Sequence, residues 1–144
     1  MQKGLFILFF LLCSFNLWSQ EAITWAVLQD VKFEYKHNPS LDAYMLSPTF
    51  GDQVQAVDGK EVEIAGFMIP LDVEASEYVL SGVTMNACFF CGGAGPESVV
   101  ELELVNNTRT YETDEYLTFK GTLRLNEEDV TRLTYILESA ELKE

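Results

Sequence analysis

The sequence predicts a mainly β protein, a small five-stranded barrel of the oligonucleotide/oligosaccharide-binding (OB) type with short helical turns. Three observations favour this class. Several short segments alternate apolar and polar residues, as strands with one buried face do. The first of them contains an internal glycine, where a barrel strand can bend. Few stretches show helical periodicity, and a β-sandwich is the alternative that the pattern leaves open.

The barrel is expected to begin after the turn signal Asp58-Gly59. The first strand contains Val62 and Ile64 on one face, and Gly66 interrupts its alternation. That interruption predicts a bend through a bulge or a close approach of two backbones. The first strand ends near Pro70, and the other strands are expected at 78–83, 98–105, 117–125 and about 134–142.

The fourth strand carries Gly121 on its apolar side, where a sharp bend is easiest. The stretch 127–142 fits both a helix and a strand. With Asn126 as a helix N-cap, we expect a short helical turn at 127–133 before the closing strand.

Residues 20–57 show no clean period and predict a lead-in segment that covers the barrel domain at 58–144. Asn38-Pro39 and Ser47-Pro48 indicate loops within it. Residues 20–144 thus form one globular domain. The aromatic residues expected to pack onto its main body are Trp25, Phe33, Tyr35, Tyr44 and Phe50.

Residues 1–19 have the pattern of a secretory signal peptide. Lys3 precedes an apolar run over 5–13, and polar residues follow. We expect cleavage after Ser19 or Gln20, and therefore an exported protein that is periplasmic or secreted.

Cleavage removes Cys13 and leaves two of the three cysteines, Cys88 and Cys91. A lipid-modified Cys13 is the competing interpretation, but Leu12 stands where lipidation needs a small residue. No other stretch approaches the roughly 20 apolar residues that cross a bilayer, so the mature chain is expected to lack a transmembrane segment.

The charge balance excludes one class of partner. The chain has 23 acidic and 9 basic residues and a formal charge of −14. Binding a phosphate backbone requires clustered Lys and Arg, so nucleic acid is not an expected partner. Anionic membrane surfaces are disfavoured for the same reason.

The segment from Met85 to Ser98 links the second and third strands and carries both cysteines. Two thiols separated by two residues can form a disulfide, act as a redox dithiol or bind a soft metal. Redox catalysis usually places the thiols at a helix start, whereas helix-breaking residues follow Cys91. We therefore expect no enzyme, with a thiol-disulfide oxidoreductase as the weaker alternative. Those residues, Gly92, Gly93, Gly95 and Pro96, predict a tight loop and lack the lysine of a phosphate cradle.

The same loop contains candidate metal ligands. A zinc site takes four ligands, and Cys88 and Cys91 would need Glu97, His37 or another acid beside them. Copper(I) is satisfied by soft sulfur ligands, and Met85 could supply a thioether. A structural disulfide between the two cysteines remains the competing interpretation, and His37 fits an ordinary loop histidine.

The chain resembles an exported bacterial family, domain of unknown function 3299 (DUF3299), and within it a Bacteroidetes-type branch with a CFFCGGAGPES loop. The similarity covers nearly the whole mature chain. It rests on Trp25, Leu28, Asp58-Gly59-Lys60, Val62, Gly66-Phe67, Pro70-Leu71, Tyr78-Val79-Leu80-Ser81, Ala87-Cys88 and Gly121-Thr122-Leu123.

The wider family has a Gly-Ala-Cys-x-His loop, and here Phe90 replaces the histidine and Cys91 follows it. Glu97-Ser98 falls where the family has Asn-Gln. Two candidate ligands are thus retained, although a disulfide also becomes possible. The resemblance implies an accessory role in envelope zinc or copper handling, beside a transporter component, without known catalysis.

Overall fold

The computed structural model describes residues 21–106 and 109–143, and the expected signal peptide lies outside them. In this part of the chain, eight strands and two short α-helices follow one another, with three 3-10 helices between the fifth and sixth strands. In order these are β1 (Glu21–Ala22), α1 (Trp25–Leu28), β2 (Val31–Asn38), β3 (Ala43–Phe50), α2 (Asp52–Gln55), β4 (Glu61–Asp72), β5 (Glu77–Ser81), the 3-10 helices Met85–Ala87, Phe89–Cys91 and Pro96–Ser98, β6 (Val99–Leu104), β7 (Tyr116–Leu125) and β8 (Tyr135–Leu142).

The last five strands close into a barrel. Their order is β4-β5-β6-β8-β7, and β7 pairs back with β4. β6 and β8 run parallel, whereas the other neighbouring strands run antiparallel. The predicted mainly β fold with an OB-like five-stranded barrel is therefore confirmed.

Alternate side chains of these strands fill the barrel interior, as the period of two predicts. Each apolar side chain buried there stabilises the fold by roughly 1.5–3 kcal/mol. The interior residues with at most 2% exposure include Val62, Ile64, Met68, Tyr78, Leu80, Val100, Phe119, Leu123, Tyr135 and Leu137.

Two glycines allow strands to approach closely. A Cβ on Gly66 would lie 2.6 Å from the carbonyl oxygen of Ser81, and one on Gly121 would lie 2.7 Å from that of Glu138. The bend expected at Gly66 is thus a close approach of backbones, and the bulge of β4 lies after Pro70. At Gly121 the register of β7 against β8 shifts.

The lead-in segment contains a β-hairpin that was not expected from its sequence pattern. β2 and β3 pair over their full length, with Val31 opposite Phe50 and Asn38 opposite Ala43. Pro48 lies inside β3, so the prediction of a loop at Ser47-Pro48 is wrong. Proline is tolerated because both strands of an isolated hairpin are edges.

The start of this segment packs onto the barrel. The indole N–H of Trp25 donates to the Ala65 carbonyl at 2.8 Å, and Leu28 is fully buried. Tyr35 and Tyr44, expected to pack similarly, are instead 73% and 70% exposed. No helix within 21–106 and 109–143 is long and apolar enough to span a bilayer.

The helical turn predicted at 127–133 is absent. A loop replaces it, organised by the Asn126 side chain, which donates to the Leu133 carbonyl at 3.0 Å and accepts from the Asp129 N–H at 3.0 Å. The same side chain that caps helices can thus close a compact turn.

Candidate functional site

The candidate site is the segment between β5 and β6, residues 82–98, which we call the cysteine loop. Its ends meet where the Gly82 N–H donates to the Ser98 carbonyl at 3.0 Å. Farther along, the Met85 N–H donates to Asp114 Oδ1 at 2.6 Å. The loop is therefore fixed at its base and again at the segment that precedes β7.

Backbone hydrogen bonds give the loop its tight fold. The Cys88 carbonyl accepts from the N–H groups of Cys91 and Gly93, each at 3.1 Å. Gly92 ends the second 3-10 helix with a φ of +74°, a left-handed conformation that favours glycine. A Cβ on Gly93 would lie 2.5 Å from the Ala87 carbonyl oxygen. The two glycines thus turn the chain back over the cysteines.

Cys88 is fully buried, although it lies in the loop. It packs with Ile69, Val79 and Val99 in an apolar cluster separate from the barrel interior. Because Val79 alternates with the interior residue Tyr78, this cluster lies on the outer face of the sheet. The outer face of the barrel therefore positions the first cysteine.

Cys91 is exposed, and both cysteines are free thiols. Desolvation raises the pKa of the Cys91 thiol above its usual value, and the neighbouring Cys88 thiol raises that pKa further. A catalytic thiol is activated by the opposite shift. The pair thus consists of one shielded sulfur and one accessible sulfur on the same turn.

The two other predicted ligands differ in position. Met85 is half-buried and packs against the cluster that contains Cys88. The Glu97 carboxylate folds back against Gly95, and its charge contributes to the raised pKa of Tyr135 in β8. The structure thus brings a thioether, and not this carboxylate, to the cysteine cluster.

No group of three or more His, Cys, Asp and Glu side chains that could hold a metal occurs within the described ranges. Glu97 therefore does not complete a three-ligand set with Cys88 and Cys91. His37 lies on the exposed hairpin, where it hydrogen-bonds Asp42 at 3.2 Å and contacts the Tyr44 ring edge-on. The candidate ligands that the loop brings together are therefore the sulfur atoms of Cys88, Cys91 and Met85.

Sequence reasoning missed two supports of this loop. Asp114 is the first, since its contact with Met85 spans 29 residues and leaves no local pattern. The second is Arg132, which donates to Glu101 and Glu103 at 2.8 Å each. Both carboxylates raise the pKa of the guanidinium. Glu101 also accepts from the backbone N–H of Leu133 at 3.2 Å, and the Leu133 side chain packs against the Cys88 cluster.

The fold and the site define an OB-like barrel protein with a pair of thiols on the loop between its second and third barrel strands. A crystal structure of a DUF3299 family protein from Pseudomonas aeruginosa PAO1 has a similar fold, with a TM-score of 0.53 and 15% sequence identity, covering 88% of this chain and 97% of that chain. This likeness supports the resemblance at the level of the fold. No protein-family model and no curated protein matches the sequence.

Proposed function

We propose that this protein binds a soft metal ion, copper(I) in preference to zinc, through Cys88 and Cys91, as an accessory protein in envelope metal handling. The observation that carries the proposal is that one buried and one exposed free thiol lie on the same tight turn, close enough for one to influence the pKa of the other. Two sulfurs held together before a metal arrives need little reorganisation to bind it.

The surrounding ligands favour copper(I). Zinc in proteins takes four ligands, and no third His, Cys, Asp or Glu joins the two thiols in the described residues. Copper(I) accepts thiolate and thioether sulfur, and Met85 packs on the cluster that contains Cys88. The apolar neighbours Ile69, Val79 and Val99 also limit water on the buried side of the site.

Each thiol must lose its proton to bind a metal. Because the pKa of Cys91 is raised, protons compete with the metal at neutral pH. Copper(I) affinity should therefore increase as the pH rises toward the pKa of that thiol.

The proposal is tested by titrating the reduced protein with copper(I) against a chromophoric chelator, and separately with zinc. We expect one equivalent of copper(I) to bind and Cys91→Ser to lose at least about 100-fold in affinity, since one of two anionic ligands is removed. Cys91 is exposed, so this variant should fold. Met85→Leu should weaken binding by less.

His37→Ala is the matched control, because its side chain lies on the hairpin and should leave copper affinity unchanged. Cys88→Ala removes the buried sulfur without placing a hydroxyl in the apolar cluster. If wild type and Cys91→Ser bind copper(I) equally, or if zinc outcompetes copper(I), the proposal fails.

The proximity of the two thiols on one turn also favours a second candidate, a non-catalytic interaction module braced by a Cys88–Cys91 disulfide. Mass spectrometry of the exported protein distinguishes the two. A fully oxidised pair without metal supports the disulfide. A reduction potential above about −300 mV together with a depressed thiol pKa would instead indicate a thiol-disulfide oxidoreductase.

Export, family membership and partner follow as parts of this proposal. The pattern of residues 1–19 supports secretion to the periplasm or beyond, and the fold supports membership of DUF3299. The partner inferred from that family is an envelope transporter component. Fractionation of cells that express the full chain, with sequencing of the mature N-terminus, tests cleavage after Ser19 or Gln20.

A further inference from the structure

The hairpin formed by β2 and β3 has one apolar face. Residues directly opposite in an antiparallel pair project from the same side, so the register decides which side chains share a face. The polar face of the hairpin carries Lys32, Glu34 and Lys36. We call the apolar side the hairpin face; its outer part consists of the pairs Phe33 with Pro48, Tyr35 with Leu46, and His37 with Tyr44.

This face is covered only at its base. Phe50 is 6% exposed and packs against the Tyr135 ring, whereas Tyr35, Tyr44 and Leu46 are 73%, 70% and 44% exposed. Contiguous exposed aromatic and aliphatic side chains mark interaction surfaces. Tyrosines anchor such interfaces because they bury a large area at low entropic cost.

An acidic margin adjoins the face. Leu46 and Pro48 line a shallow groove of about 160 Å³ against the loop between β7 and β8, where Glu127, Asp129 and Val130 form the opposite wall. The groove is therefore apolar on its hairpin side, and its far side carries Glu127, Asp129 and Arg132. Because Arg132 is already paired with Glu101 and Glu103, the far side is acidic on balance.

We infer that the hairpin face binds a polypeptide segment with aliphatic or aromatic side chains flanked by Lys or Arg. The charge decides the occupant. The chain carries −14, so a second copy is repelled and a basic partner is attracted. The hairpin itself is balanced, Lys32 and Lys36 against Glu34 and Asp42, so the choice of a basic partner rests on the net charge and on the acidic groove wall.

The probe is the fluorescein-labelled peptide Lys-Lys-Phe-Thr-Val-Thr-Leu-Lys-Lys, followed by fluorescence anisotropy with the purified protein. We expect binding that weakens with salt. Tyr35→Ser/Tyr44→Ser should weaken it at least about tenfold, since two interface anchors are lost. Glu127→Gln, which neutralises a carboxylate on the groove wall, should weaken it about threefold and reduce the salt dependence.

Tyr116→Ser is the matched control, because it removes another exposed tyrosine, 62% exposed, from β7. It should bind like wild type. All variants should retain copper(I) binding, so failure here is distinct from failure of the metal proposal. Circular dichroism confirms that the double variant folds.

Several outcomes would overturn the inference. These are no binding, equal binding by the double tyrosine variant, or equal binding of the peptide with Glu in place of its lysines. A dimer in sedimentation that the double variant loses would assign the face to a second copy. Flotation with phosphatidylcholine vesicles that the same variant loses would assign it to a lipid surface.

Discussion

The hydroxyl of Tyr135 in β8 donates a 2.6 Å hydrogen bond to the carbonyl oxygen of Leu28 at the end of α1. Both side chains are fully buried. The Tyr135 ring also packs 5.9 Å from that of Phe50, at the base of the hairpin. One residue of the last barrel strand therefore holds both the N-terminal helix and the hairpin in place.

Tyr135→Phe should lower the free energy of unfolding by about 1–2 kcal/mol. The ring still fills its site, but the Leu28 carbonyl loses its hydroxyl donor in a buried position. Urea denaturation followed by tryptophan fluorescence measures this, since Trp25 lies on the same helix. Tyr116→Phe, at an exposed position, should change stability by less than about 0.5 kcal/mol. Equal effects of the two substitutions would show that the bond does not stabilise the fold.

The same hydroxyl predicts how stability depends on alkaline pH. Burial, and then the charges of Glu97 and Asp30, raise the pKa of Tyr135 above its usual value. In the unfolded chain a tyrosine ionises near pH 10, before the folded one does. The contribution is therefore complete below about pH 10 and is lost as the pH rises above it. Denaturation between pH 8 and 11 should show a smaller alkaline loss for Tyr135→Phe than for wild type; identical slopes would contradict the shift.

Most barrel strands were predictable because one face is buried and the other is not, which gives the sequence a period of two. β5 is buried on both faces and was predicted from its β-rich composition instead. The hairpin carries the same period of two, with Val31, Phe33 and Tyr35 alternating with charged residues. The hairpin was nevertheless not predicted, because its apolar face is largely exposed and Pro48 indicated a loop. Tolerance of proline on an edge strand depends on pairing, which the local sequence does not reveal.

The candidate site was predictable only where it is local. Cys88, Cys91 and the glycines lie within one loop, and their spacing predicts that the sulfurs can meet. The burial of Cys88 depends on Val79 and Ile69, which belong to two other elements. Such contacts depend on the order of the strands in the sheet, which the loop sequence does not reveal. The separation of Glu97 from the thiols could not be predicted for the same reason.

The glycines of the cysteine loop should differ in their tolerance of substitution. A Cβ on Gly93 meets the Ala87 backbone, so Gly93→Ala must displace the chain beside Cys88. We expect a loss of about 1–3 kcal/mol in stability and weaker copper(I) binding. Gly92 has open space and a left-handed backbone that asparagine tolerates, so Gly92→Asn should cost less than about 1 kcal/mol. Thermal unfolding and copper(I) titration of both variants test this. An equal loss in both would show that the close contact of Gly93 is unimportant.

The two cysteines should react at very different rates with iodoacetamide. Cys91 is exposed and Cys88 is fully buried, so peptide mapping of the native protein should find alkylation at Cys91 alone. In urea both cysteines should be alkylated. Because the pKa of Cys91 is raised, its thiolate fraction near pH 8 is small, and it should react more slowly than an unstructured peptide thiol. Cys88→Ala removes a neighbour that raises this pKa and should speed the reaction. A Cys91 that reacts faster than the peptide thiol would have a depressed pKa, and the oxidoreductase alternative would then replace metal binding as the favoured function.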